Sequence, residues 1–146
     1  MFADHFFSFR FTGYKREDVN VVEWHCTFSK VVHIVDVYIN HALQSHILSH
    51  VSRPLVIDLG CGLSSMGVEL IRSGRWADIE LLLVDISPEL VERLRQLYVM
   101  DPSIRCMEGD CRNMKHLSDC SANILIDKGT LDALCGEEDK ILMLRV

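Results

Sequence analysis

Residues 55–62 read Leu-Val-Ile-Asp-Leu-Gly-Cys-Gly, an apolar run that carries one acid and ends in two glycines. The aliphatic residues of this run suit a parallel strand that is covered on both faces. Gly60 and Gly62 permit positive φ angles and let a ligand approach the bare backbone. The next segment, residues 64–72, is predicted to open a helix whose first N–H groups face the same ligand. The stretch therefore predicts a strand, a turn and a helix that bind a nucleotide-like molecule.

The rest of the chain alternates helical periodicity with further apolar runs. Apolar residues recur at three- and four-residue steps from Phe28 to Val51, which predicts one long helix. Ser87-Pro88-Glu89 is typical of a helix start, since it combines a capping hydroxyl, a first-position proline and a first-turn acid. Further strands are predicted at residues 81–84, 104–107 and 123–126, and a last helix from Glu137. This order predicts an α/β fold with a parallel sheet and right-handed crossovers.

Four acids fall at or just after the ends of the predicted strands: Asp58, Asp85, Asp110 and Asp127. In parallel sheets, ligands bind beyond the carboxyl ends of the strands, so we expect these acids to lie around one site. Asp85 is the most interpretable, because an acid that closes the second strand can accept hydrogen bonds from both hydroxyls of a ribose.

Two classes of nucleotide cofactor use such an arrangement. A nicotinamide dinucleotide site favours Gly-x-Gly-x-x-Gly, and Ser65 stands here in place of the third glycine. Two acids also argue against a nicotinamide dinucleotide. Asp58 lies two residues before the first glycine, and Asp110 lies where it could bind the amino group of an adenine. Nicotinamide binding remains the less favoured alternative.

Composition limits the partners and the compartment. Fifteen basic and 21 acidic residues give a net charge of −6, so the chain has no overall basic field for a nucleic acid. The acidic charge suits a basic protein partner, and the alternative is that it only keeps the protein in solution. No apolar stretch approaches the roughly 18 residues of a membrane span. The six cysteines form no Cys-x-x-Cys pair, so we expect no zinc site and a reducing, intracellular compartment, with the cytoplasm favoured and the mitochondrion as the alternative. No pattern indicates an oligomeric state.

Four segments in order resemble the motifs of the class I (seven-β-strand) S-adenosylmethionine-dependent methyltransferases: residues 56–62, 84–87, 108–111 and 126–134. The last, Ile-Asp-Lys-Gly-Thr-Leu-Asp-Ala-Leu, is similar to the Asp-Lys-Gly-Thr-x-Asp-Ala block of a protein-lysine methyltransferase subgroup. That subgroup includes enzymes that act on elongation factor 1-alpha and on citrate synthase. The resemblance implies a Rossmann-like sheet with an N-terminal helix, S-adenosylmethionine as cofactor, and methyl transfer to a lysine side chain of a protein.

The resemblance also implies roles for individual residues. The glycine loop would pass under the methionine part of the cofactor, with Asp58 ordering that loop. Asp85 would hold the ribose, and Asp110 with the backbone of Cys111 would meet the adenine. The implied cofactor-binding residues of the first three strand ends are Asp58, Gly60, Cys61, Gly62, Asp85, Ile86, Asp110 and Cys111.

The remaining implied residues lie at the methyl-bearing end. Asp127 and Lys128 would line the entrance for the acceptor, with Asp127 positioning the amine rather than acting as a strong general base. Trp24 matches an aromatic N-terminal segment that helps to close the cofactor pocket, although a generic core position is the alternative. Asp127 and Lys128 are therefore the predicted catalytic residues.

The family fold has seven strands, whereas the 146-residue chain ends after the fourth predicted strand and part of the next helix. We therefore expect an incomplete sheet of about four strands, with the last three missing from a C-terminally truncated chain. Residues 1–22 form an irregular segment in this interpretation, and residues 23–146 form the N-terminal portion of the methyltransferase domain. The alternative function is a truncated, non-catalytic form that binds cofactor or a partner without turnover.

Overall fold

The computed structural model describes residues 26–44, 52–75, 78–118 and 121–145. Within these ranges the chain forms nine elements in the following order: α1 (Phe28–Gln44), β1 (Leu55–Leu59), α2 (Met66–Arg72), β2 (Glu80–Asp85), α3 (Pro88–Leu97), β3 (Ile104–Glu108), β4 (Ile124–Asp127), α4 (Thr130–Ala133) and α5 (Glu137–Met143).

The four strands form one parallel sheet in the order β3-β2-β1-β4. The chain builds outward from β1 to β3 on one side and then crosses back to place β4 on the other side of β1. The strand order therefore reverses between β1 and β4, and parallel sheets bind ligands at such a point. The predicted α/β fold, an incomplete Rossmann-like sheet with an N-terminal helix, is confirmed.

Side chains alternate between two cores, one on each face of the sheet. On one face Val56, Leu81 and Leu83 pack with apolar residues of α1, α2 and α3. On the other face the strand residues pack with Met114, with Leu131 of α4 and with Met143 of α5. Because both faces are covered along its length, β1 is apolar at four of its five positions.

The local helix signals explain where the elements begin. Ser87 has an extended backbone, and its hydroxyl accepts a hydrogen bond from the Leu90 N–H at 3.3 Å, with Pro88 as the first helical residue. The predicted start of α3 is therefore confirmed. Helix α1 is described as far as Gln44, and the remainder of the predicted long helix, residues 45–51, lies outside the described residues.

The predicted bounds of α2, β2, β3 and β4 differ from the observed ones by one or two residues. Strand β4 begins at Ile124 rather than Asn123, because the side-chain oxygen of Asn123 accepts from the Leu55 N–H at 2.8 Å. The short helix α4 was not predicted, since four residues carry no measurable periodicity. No helix within the described ranges combines the length and apolar character needed to cross a bilayer. Within the same ranges, no three His, Cys, Asp or Glu side chains come close enough to hold a metal ion.

The packing of α2 on β1 and β2 leaves no room for a side chain at Gly67. A Cβ built there would lie 2.9 Å from the Asp58 carboxylate and 3.0 Å from a Leu81 methyl group. We predict that Gly67→Ala lowers the free energy of unfolding, because the overpacking cost of about 1–3 kcal/mol exceeds the roughly 0.5–1 kcal/mol that alanine contributes within a helix. Urea unfolding measures the change. Glu69→Gln, at an exposed position of the same helix, is the matched control, because it keeps an acceptor for the Ser65 hydroxyl, and it should change stability by less than about 0.5 kcal/mol. A Gly67→Ala protein as stable as the wild type would contradict this packing.

Candidate functional site

A cleft of about 590 Å³ opens at the carboxyl ends of the strands. Its walls come from the loops that follow all four strands. Among the predicted site residues, the following line it: Gly60, Cys61, Gly62, Asp85, Ile86, Asp110, Cys111 and Lys128. The structure therefore brings together residues that lie up to 68 positions apart in the sequence.

The glycine loop after β1 is tied to the end of β2. Gly60 and Gly62 have φ angles of +62° and +55°, which side-chain-bearing residues rarely adopt. The Gly62 N–H donates to one carboxylate oxygen of Asp85 at 2.9 Å, and the Ser87 N–H donates to the other at 3.0 Å. Asp85 thereby connects the glycine loop to the start of α3. Each of its oxygens retains acceptor capacity, since a carboxylate oxygen carries two lone pairs.

The glycine loop is also tied to the loop after β4. The Thr130 hydroxyl donates to the Leu59 carbonyl at 2.7 Å and lies 3.3 Å from the Gly60 carbonyl. Thr130 packs so closely on Gly60 that a Cβ built on this glycine would overlap its side chain. Glycine is therefore required at position 60 for two reasons, its φ angle and this approach.

Asp127 is buried at the end of β4, with an exposed fraction of 3%. One of its carboxylate oxygens accepts from the Thr130 N–H at 2.9 Å and from the Leu131 N–H at 3.2 Å. Gly129, with a φ angle of +93°, makes the turn between them. Asp127 thus holds the first turn of α4 in place and lies below the residues that line the cleft.

Lys128 is largely buried, with 9% exposure, and lines the cleft. Its ammonium group donates to the backbone carbonyl of Cys26 at 3.4 Å. Because Cys26 lies two residues before α1, this contact places the start of the described chain against the end of β4. Trp24, which was predicted to help close the pocket, lies outside the described residues.

Asp58 is buried inside β1, and its carboxylate lies against the backbone of Gly67 in α2. Asp58 is not among the residues that line the cleft. Ile86, in contrast, is 63% exposed and presents an apolar surface directly after Asp85. An exposed aliphatic side chain at this place can cover one face of a nucleobase.

Burial raises the pKa of the thiols of Cys61 and Cys111 above the ordinary value, and neighbouring aspartates reinforce the shift. Both thiols therefore stay protonated at neutral pH. They line the cleft as small apolar groups rather than as nucleophiles.

Arg112 also lines the cleft, and sequence reasoning missed it. Its guanidinium group binds the carboxylate of Asp110 and reaches Asp139 of α5. The local signal was available, since a basic residue two positions after an acid in a turn can fold back onto it. The contact with Asp139, 27 residues away, had no signal in the sequence.

The cleft residues fit an adenosine-containing cofactor. Asp85 offers carboxylate oxygens for ribose hydroxyls, Ile86 offers an apolar face, and Asp110 offers an acceptor at the next strand end. A Cβ on Gly62 would meet only the Gly60 carbonyl, 4.0 Å away, so the glycine leaves the backbone accessible from the cleft.

Comparisons with known proteins agree with this assignment. Residues 56–144 match the family model described as a methyltransferase domain. Over 122 residues the chain is 32% identical to the citrate synthase-lysine N-methyltransferase CSKMT, mitochondrial, of Danio rerio, covering 77% of this chain and 46% of that protein. The chain thus spans about half the length of the curated relative it matches.

The fold is similar to a solved structure from Methanococcus maripaludis, described as a putative S-adenosyl-L-methionine-dependent methyltransferase. The TM-score is 0.51 at 15% identity, over 79% of this chain and 53% of the other. This likeness supports the fold, and the family match confirms the predicted cofactor, S-adenosylmethionine.

The hydrogen bond from the Thr130 hydroxyl to the Leu59 carbonyl can be tested by substitution. Thr130→Val keeps the shape of the side chain but removes the donor to the Leu59 carbonyl, so we expect the free energy of unfolding to fall by about 1–2 kcal/mol. Thr130→Ser keeps the donor and should lose less, about 1 kcal/mol at most. Chemical denaturation of both variants tests this order. Equal stability of the two variants would show that the hydroxyl bond contributes nothing.

Proposed function

The chain belongs to the methyltransferase domain family, and on that premise we propose that it binds S-adenosylmethionine in this cleft and transfers the methyl group to a lysine side chain of a protein. One observation carries the proposal. The Asp-Lys-Gly-Thr block after β4 is hydrogen-bonded to the glycine loop after β1, so the block typical of the lysine-modifying subgroup adjoins the cofactor-binding loop. We place the domain at residues 23–146, with residues 1–22 as a preceding segment.

In this proposal the cofactor is held by backbone and carboxylate groups. Asp85 accepts from both ribose hydroxyls while it continues to hold the Gly62 N–H. Ile86 covers one face of the adenine, and Asp110 with Cys111 borders its edge. Gly60, Cys61 and Gly62 run beneath the amino acid end, with Asp58 supporting them from β1.

The cofactor supplies a methyl group that is already activated by its bond to a sulfonium, so the protein must mainly align and desolvate the acceptor. A lysine amine has an ordinary pKa of about 10.4 and must be neutral to accept the methyl group. A water-poor entrance next to Lys128 favours the neutral amine. Asp127 acts as a positioning residue, because its buried carboxylate fixes the backbone at that entrance.

Two observations support a protein lysine as the acceptor. The curated relative is described as a citrate synthase-lysine N-methyltransferase, and the match covers most of this chain. The net charge of −6 also favours a basic partner surface over a nucleic acid. We propose no stable nucleic-acid or membrane partner.

We propose an intracellular location. The described cysteines carry free thiols, which fits a reducing compartment. Sequence reasoning favoured the cytoplasm, whereas the relative is described as mitochondrial, which supports the mitochondrial alternative.

The proposed ribose contact is tested by Asp85→Ala. We expect the Kd for S-adenosylhomocysteine to rise by on the order of tenfold to a hundredfold, because hydrogen bonds to a charged group contribute about 1.5–3 kcal/mol. Isothermal titration calorimetry measures the change. Glu92→Ala, which removes an exposed carboxylate of α3, is the matched control and should leave the Kd unchanged. Folded wild-type protein without saturable binding would refute the proposed function.

The acceptor is tested by incubating the full chain with S-adenosylmethionine carrying a labelled methyl group and purified citrate synthase. We expect label on a lysine side chain, located by mass spectrometry, and less label with the Asp85→Ala protein when the cofactor concentration is below its raised Kd. Label on another residue type would contradict the lysine assignment. Saturable cofactor binding without labelled protein, in this assay and in a cell lysate, would favour the non-catalytic alternative.

A further inference from the structure

Arg112 binds the carboxylate of Asp110 with both its guanidinium group and its backbone N–H. Its Nε lies 2.9 Å from one carboxylate oxygen, Oδ1, and 3.1 Å from the other, Oδ2. Its Nη2 donates to Oδ2 at 2.6 Å, and its own backbone N–H donates to Oδ1 at 2.9 Å. The side chain and the backbone of one residue thus fix the orientation of this carboxylate.

These contacts fill most of the acceptor capacity of Asp110. A carboxylate offers about four lone-pair positions. Three N–H protons of Arg112 face the carboxylate: the backbone N–H at Oδ1, the Nη2 proton at Oδ2, and the Nε proton, which is within hydrogen-bond distance of both oxygens. Among the contacts of the described residues, these protons leave about one of the four positions for a ligand.

Arg112 is itself held on its far side. Its Nη1 donates to the carboxylate of Asp139 in α5 at 3.1 Å. The residue stands between the cofactor cleft and a second hollow of about 740 Å³ that opens on the face of the sheet below it, and it lines both. A guanidinium group bound at both ends has little freedom to release Asp110.

We propose that Arg112 is the positioning residue that sets the nucleobase selectivity of the cleft. By fixing the orientation of the Asp110 carboxylate, it directs the remaining acceptor position at the base, which favours a base edge with an N–H donor, as in the exocyclic amine of adenine. The inference rests on the proposed binding of S-adenosylmethionine and assigns a selectivity role to a residue outside the four sequence motifs.

The electrostatics of the pair agree with this role. The hydrogen bonds from Arg112 hold the pKa of Asp110 below its ordinary value, because they stabilise the ionised form, which only accepts hydrogen bonds. The guanidinium charge offsets the carboxylate charge, which reduces the attraction for cations and leaves the directional hydrogen bond as the basis of selection.

The test compares two ligands on the full chain by calorimetry: S-adenosylhomocysteine and its analogue with hydrogen in place of the exocyclic amine. We expect the wild type to bind the amine-bearing ligand on the order of tenfold more tightly. Arg112→Ala and Arg112→Lys should each reduce that preference to less than about threefold, since lysine keeps the charge but lacks the fork. The ratio of the two Kd values, measured on one preparation, is insensitive to any loss of folded protein.

Two further variants separate selectivity from stability. Arg105→Ala removes a comparable ion pair, with Glu80 at 3.4 Å, and should leave the preference intact. In an Asp110→Asn background, Arg112→Ala should produce no further loss of preference, because Arg112 acts through Asp110. A wild-type preference that survives Arg112→Ala, or a wild type that binds both ligands equally, would overturn this inference alone. A wild type that binds neither ligand would overturn the proposed function.

Discussion

The hydrogen bond from the Thr130 hydroxyl to the Leu59 carbonyl joins the two loops on which the cleft depends. It forms because the crossover after β3 brings β4 next to β1, so that the ends of these strands are neighbours in space. Gly60 must lack a side chain for Thr130 to come this close. The glycine loop and the Asp-Lys-Gly-Thr block are therefore one structural unit, and a change in either is transmitted to the other.

The strand-end acids divide into two pairs by environment rather than by sequence. Asp58 and Asp127 are buried: Asp127 holds the first turn of α4 with two hydrogen bonds, and Asp58 lies against Gly67 of α2. Asp85 and Asp110 line the cleft and retain acceptor positions for a ligand. In the sequence all four lie within or shortly after an apolar run, and this position does not show which of them are buried. What separates them is the set of donors that the fold brings to each carboxylate.

The elements that depend on short sequence patterns could be predicted from the sequence. Strand β2 and the start of α3 follow from an apolar run and from Ser87-Pro88-Glu89, whose hydrogen bonds stay within a few residues. The cleft could be predicted because parallel strands place their carboxyl ends at one edge. Helix α4 could not be predicted, since its start depends on the buried carboxylate of Asp127. The contact between Arg112 and Asp139 could not be predicted either, since it joins residues 27 positions apart. Trp24 stays a prediction.

The distribution of hydrogen bonds in the cleft suits a reaction that needs alignment more than proton transfer. Asp85 and Asp127 accept hydrogen bonds from backbone N–H groups of the loops, and Thr130 and Lys128 donate to backbone carbonyls. A site built for strong general base catalysis would instead shift the pKa of an open carboxylate towards neutrality. At Asp110 the pKa lies below its ordinary value, because Arg112 stabilises the ionised form. Methyl transfer from a sulfonium places its main demand on the position of the reacting atoms, and loops fixed by hydrogen bonds meet that demand.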